Sequence, residues 1–191
     1  MKDFSNGPVN LAAKVRALAE EYETRSLVAN LDEVYGFAGS LADDRLACRG
    51  RARCCNETIR PLATYAIEIA YMLDGAPAAE IPMVDKDEPL CPSLNSGRRC
   101  KFYPKRPLGC RLFLPWSQWS RAKGCANYPH AMESLEKIEY LLRVVDGLNQ
   151  EFIRTTGLHR DFDFDYLAHT SITSWFEAPQ AVDDAAISWG F

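Results

Sequence analysis

The sequence predicts a mainly α protein, a small helical scaffold that carries an irregular, cysteine-rich loop region. Three observations predict it. Apolar residues recur at spacings of three and four near both ends of the chain. The stretch from 75 to 125 is broken by prolines and glycines. All seven cysteines fall between positions 48 and 125.

The elements follow in order. Leu11, Val15, Leu18 and Tyr22, then Leu27, Leu31 and Val34, give an N-terminal helical segment, with Asn10 placed to cap it. A second helix is expected after Pro61, with Leu62, Ala66, Ile69 and Leu73 on one face and Gly75 ending it. The long loop comes next, and a loop of that length needs an internal anchor. Ligand bonds to a metal would supply one. Beyond it, Leu135, Ile138, Leu142, Val145, Leu148 and Phe152 form the longest apolar stripe, stopped by Gly157. Tyr166, Leu167, Ile172, Trp175 and Phe176 suit a last helix packed on the others. These stripes read as core faces without chemistry.

At 191 residues the chain is expected to be a single domain, residues 1–191, with a cysteine-cluster core at about 45–128 flanked by N-terminal and C-terminal helices. No apolar run approaches the roughly 20 residues that span a bilayer, so no membrane partner is expected. The N-terminus lacks an apolar signal region, which points to the cytoplasm, where thiols stay reduced. An odd cysteine count fits a closed disulfide framework poorly.

Charge is unevenly placed. Residues 45–60 hold five arginines against Glu57, and residues 91–125 hold eight basic residues and no acid. The net charge is nevertheless −4, so the remainder is acidic. The cysteines lie inside the two basic segments. Positive charge favours the thiolate, the form that binds metal, and offsets the charge of a thiolate-ligated centre.

The cysteines Cys48, Cys54, Cys55, Cys91, Cys100, Cys110 and Cys125 are the candidate metal ligands. Thiolates select zinc, iron–sulfur clusters or copper(I). Four close a zinc site or ligate a four-iron cluster. Neighbouring side chains tend to diverge, so adjacent Cys54 and Cys55 do not suit one zinc. Gaps of eight and nine residues between Cys91, Cys100 and Cys110 are longer than zinc-finger pairs use. They suit a loop wrapped around a larger object, or two interleaved sites. The plain reading of any single cysteine is a small buried hydrophobe.

The pattern resembles the YkgJ-type cysteine-cluster proteins, the CxxCxxCC family described as zinc- or iron-chelating. Cys48, Cys54 and Cys55 match its first motif, and Cys91-Pro92-Ser93-Leu94 its second. Cys100-Lys101-Phe102-Tyr103, Arg106-Pro107 and Cys110-Arg111-Leu112-Phe113 match its third, and Cys125 its last. The family pattern has one more cysteine, and Arg51 stands in its place. If eight thiolates serve two four-thiolate sites, this chain has one three-thiolate site, whose open position His130 can fill or leave to chemistry. Within the motif, Pro107 restricts Arg106 to extended geometry, and Gly109 permits close packing or a positive φ. Arg106 and Arg111 can donate to sulfur or to an anionic partner, and Tyr103 and Phe113 can shield a cluster from water. Tyr103, Arg106 and Arg111 are therefore candidate cofactor-binding residues, and the aromatics serve equally as core.

An iron–sulfur cluster, of four irons, is favoured over zinc because the gaps and aromatic surroundings suit a bulkier centre. The implied role is redox, structural or metal handling. A metal-dependent enzyme is the alternative, although no Gly-rich nucleotide fingerprint is present. A third class is an interaction module for protein, an anionic partner or nucleic acid. Trp116, Trp119, Tyr103 and Tyr128 interleave with basic residues as stacking requires, and the acidic remainder argues against nucleic acid. His159, beside Arg160 and Asp161, reads as a surface residue, and Asp161-Phe-Asp-Phe-Asp165 as a short strand or turn.

Overall fold

A computed structural model describes residues 11–40, 64–77, 80–82, 91–97, 99–111, 135–160 and 175–176. Four helices dominate them: α1 (Leu11–Glu21), α2 (Arg25–Ser40), α3 (Ala66–Leu73) and α4 (Leu135–Thr156). Two 3-10 turns accompany them, Tyr103–Lys105 and Leu158–Arg160. Among the described residues there is no strand, only an isolated antiparallel bridge between Leu94 and Cys100. The predicted mainly α class is what the chain adopts. None of these helices is long and apolar enough to cross a membrane.

The N-terminal stripe is two helices rather than one. The chain turns a corner at 22–24, where Glu23 takes a left-handed φ of 52°. The apolar spacing jumps by five from Tyr22 to Leu27, which rotates the second stripe off the first. Thr24 fixes the corner by donating its hydroxyl to the Ala19 carbonyl at 3.2 Å. Tyr22 faces out, 41% exposed, while Val15, Val28 and Leu31 are buried.

The second helix begins at Ala66, later than the sequence suggests. Tyr65 is extended, and the Glu68 carboxylate accepts its backbone N–H at 3.1 Å, one half of a capping box. Gly75, at φ +74°, follows the helix end as expected. All eight residues of α3 are buried, so α3 has no solvent face. It packs against α1, α2 and α4 and forms the centre of the described core.

Helix α4 spans the predicted stripe, and Gly157, at φ +69°, stops it. Its buried face is Ile138, Leu141, Val145, Phe152 and Ile153. Leu142, assigned to that face from the sequence, is 38% exposed, and Leu141 points inward instead. The buried face also carries Asn149, whose side-chain oxygen accepts the Ile67 N–H at 3.1 Å. One helix thus satisfies an orphan donor at the start of another. Trp175 and Phe176 are helical and fully buried, and Trp175 donates its indole N–H to the Thr64 carbonyl at 2.9 Å. The Asn10 cap, Leu62, residues 161–165, Tyr166, Leu167 and Ile172 lie outside the described residues.

Candidate metal centre

Three of the seven cysteines are described. Cys91, Cys100 and Cys110 are each half-buried, and none is in a disulfide. Cys48, Cys54, Cys55 and Cys125 lie outside the described residues, as do Arg51, Phe113, Trp116, Trp119, Tyr128, His130 and His169.

Backbone hydrogen bonds hold the first two cysteines in a tight fold. Leu94 N–H donates to the Cys91 carbonyl at 3.0 Å, closing a turn over Cys91-Pro92-Ser93-Leu94. Asn95 N–H then donates to Arg99 at 2.9 Å, and Lys101 N–H to Ser93 at 2.8 Å. The Asn95 side chain accepts the Arg99 N–H at 3.0 Å. Polar residues close this loop, and the bridge of Leu94 with Cys100 places Cys100 back beside the turn that Cys91 opens.

Cys110 sits on the next segment, over Arg106-Pro107-Leu108-Gly109-Cys110-Arg111. Arg106 is extended, at φ −63° and ψ 145°, as the following proline requires. Gly109 lies in helical conformation within residues 108–111, so its use is close packing rather than a positive φ. Leu108 is 1% exposed and Phe102 8%. The loop therefore has apolar anchors of its own in addition to any metal.

The decisive anchor is Glu68, a carboxylate on the buried helix α3 that is itself 1% exposed. It accepts the Leu108 N–H at 2.6 Å and the Tyr35 hydroxyl at 2.9 Å, as well as the Tyr65 N–H. One buried side chain ties α2, the start of α3 and the Cys110 segment together. Burial pushes the Glu68 carboxyl above its ordinary value, and these three hydrogen bonds and Arg111 oppose the rise. The sequence singles out Glu68 only as the one charge in the apolar run Ala66–Leu73.

The two motif arginines bind the loop to itself and to the helices. Arg106 lies over the Tyr103 ring at 3.9 Å and donates to the Tyr103 carbonyl at 3.1 Å. Arg111 donates to the Arg106 carbonyl at 2.9 Å and to the Pro104 carbonyl, and covers the Tyr35 ring at 4.2 Å. Tyr103 is half-buried beneath Arg106. Burial lowers the Arg111 guanidinium, with the neighbouring Arg106 charge adding to it.

The Cys110 thiol is pushed well up, first by burial, then by Cys91, Glu68 and Cys100; Arg106 opposes them. Cys91 and Cys100, distant in sequence, are thus within electrostatic reach of Cys110. The donor set suits a soft metal, which would hold these sulfurs as thiolates. A second feature fits as well. The Ser93 hydroxyl is buried with no hydrogen-bond partner. It is two residues from Cys91, and a bound thiolate or sulfide is an acceptor for such a donor. By themselves, the described Cys, His, Asp and Glu side chains include no group of three arranged to hold a metal ion. His159, as the sequence suggests, is exposed in the last 3-10 turn.

Comparison with curated proteins and with solved structures found no match. A family model does match, over residues 47–139, the span that contains all seven cysteines, the Glu68 helix and the arginine-pinned loop. Residues 47–139, just under half of the chain, are thus similar to the CxxCxxCC family, whose model is described as a putative zinc- or iron-chelating domain.

Proposed function

We propose that this domain holds an iron–sulfur cluster, of four irons, by four thiolates drawn from Cys48, Cys54, Cys55, Cys91, Cys100, Cys110 and Cys125, the other three being free for a second site. The observation that carries the reading is that Cys91 and Cys100 are folded beside each other by the Leu94–Cys100 bridge, while the neighbouring Cys110 segment is tied to a buried carboxylate. Gaps of eight and nine residues between these cysteines suit ligands wrapped around a bulky centre. A bound cluster supplies one-electron redox capacity. The chain's own residues hold the sulfurs in place, exclude water with Phe102 and Leu108, and offer the Ser93 hydroxyl as a donor. Arg106 and Arg111 set positive charge beside the thiolates. Zinc is the second reading, equally compatible with the family description and with the same donor chemistry.

The test is metal and acid-labile sulfide content, with a visible spectrum, on protein purified without oxygen. Iron with sulfide and a brown absorbance is expected. The ratio of iron to protein gives the number of filled sites, and Arg51→Cys then tests whether a further thiolate raises it. Colourless protein with stoichiometric zinc overturns the cluster in favour of zinc. Protein that takes up neither metal overturns the reading.

A further inference from the structure

Tyr71, on helix α3, lines a cleft apart from the described cysteines. This cleft, of about 670 Å³, opens between the α1–α2 corner and the C-terminal end of α3, with Lys105 of the loop as part of its wall. That volume lies in the range of small-molecule sites. Three cations line it, Arg16, Arg25 and Lys105, and three carboxylates, Glu20, Asp32 and Asp74. The formal charges balance, but hydrogen-bond donors outnumber the acceptors that they meet.

Each carboxylate has a donor. Glu20 accepts Arg16 Nε at 3.0 Å. Asp74 accepts Lys105 Nζ at 3.1 Å, and the same ammonium donates to the Asp74 backbone carbonyl at 2.9 Å. Asp32 accepts the Tyr71 hydroxyl, a phenol that burial and Asp32 hold protonated by pushing it up to about 12. The donors are not used up. A guanidinium carries five N–H groups and an ammonium three. Arg16 Nη1 is buried without any partner, on a side chain only 21% exposed. Arg25 opens α2 at the cleft with no hydrogen bond or ion pair to another described residue. A buried donor without an acceptor costs free energy unless something supplies one.

We propose that this cleft binds a small molecule through an oxyanion group, a carboxylate or a phosphate, held by the Arg16 and Arg25 guanidinium groups. Such groups present several acceptor oxygens in the geometry a guanidinium fork matches. The apolar side chains of Val28 and Ala70 and the Tyr71 ring give the ligand's carbon skeleton a surface to lie on. Lys105 stands between Cys100 and Cys110 in sequence, so an occupied cleft touches the loop that carries two of the cysteines.

Backbone-amide NMR on the full chain tests this, with inorganic phosphate, citrate and sodium chloride titrated in turn at matched ionic strength. Saturable shifts at Arg16, Arg25, Tyr71 and Lys105 are expected with phosphate or citrate and not with chloride. Saturation by phosphate alone assigns a phosphate ligand, and saturation by citrate alone a carboxylate ligand. Arg25→Gln is expected to weaken binding by about tenfold, the effect of losing one charge-assisted contact. Arg25 is exposed, so this variant keeps the fold. Shifts that never saturate, or Arg25→Gln protein that binds as tightly as the parent, overturn the proposal. The metal content of the sample bears on neither result.

Discussion

At the scale of single residues, Glu68 joins three segments of the molecule through one buried carboxylate. Its two oxygens receive Tyr35 from α2, Tyr65 from the helix start and Leu108 from the cysteine loop. Glu68→Ala leaves all three donors without their acceptor in the core. The expected cost is about 3 kcal/mol, with the Tyr35 and Leu108 groups contributing most. Glu68→Gln keeps one carbonyl oxygen for Leu108 and Tyr35 but turns an N–H₂ toward Tyr65, and should cost about 1 kcal/mol. The two variants also separate packing from ionisation. The folded-state carboxyl titrates above its ordinary value of 4.5. The native state therefore binds this proton more tightly than the unfolded state does. That contribution is fully present below the unfolded value and is lost as pH rises through the folded one. Urea midpoints across this range should show the parent losing stability relative to Glu68→Gln as pH rises. A difference that stays flat with pH would mean that the Glu68 carboxyl titrates alike in the folded and unfolded states. None of this network was legible beforehand, because periodicity reports where apolar residues recur and says nothing of an acid that the fold buries between them.

At the scale of elements, the sequence located the helices well and their ends less well. The stripe of α4 and its stop at Gly157 came directly from spacing and the left-handed tolerance of glycine. The corner at 22–24 was written as a phase slip of five, which is easily read as a continuous stripe because each half is itself regular. The sequence signals the start of α3 too early because Pro61 is the nearest helix-start residue, whereas the observed cap is made by Glu68 from inside the helix. The exchange of Leu141 for Leu142 has a similar cause. Both are leucines one step apart, and only the partners of α4 decide which faces inward. The cross-helix cap from Asn149 to Ile67 is a contact of this kind, made between segments 82 residues apart. Asn149→Ala should lower stability by about 1–2 kcal/mol, as the loss of a buried cap does. Its urea midpoint should fall with an unchanged slope. Gln150→Ala, one position along on the exposed face and bonded only to Asp146, should stay within about 0.5 kcal/mol of the parent. Equal effects from the two would remove the cap from the account of how α3 begins.

At the scale of the whole molecule, the question is whether metal holds the fold or the fold holds the metal. From the sequence, the loop needs an anchor, and ligand bonds to a metal supply one. The described core alters that balance. Helix α3 is enclosed by α1, α2 and α4, and Phe102, Pro107 and Leu108 seat the loop in it without any ligand bond. The Leu108 N–H is further tied to Glu68. Small zinc modules lack such a core and unfold when metal is removed. Here chelation should leave the far-UV circular dichroism nearly unchanged. Its effect should fall on the loop, where exchange-protected amides would divide into two groups. Leu108, bonded to a buried carboxylate, should keep its slow hydrogen exchange in the metal-free protein. Asn95 and Lys101, whose amides close the Cys91–Cys100 fold through loop carbonyls, should exchange faster by at least tenfold once the thiolates are released. Uniform loss of protection, with loss of helicity, would instead make metal part of the core. If chelation changes neither group, the cysteine fold stands on its hydrogen bonds alone, and ligation contributes chemistry without stability.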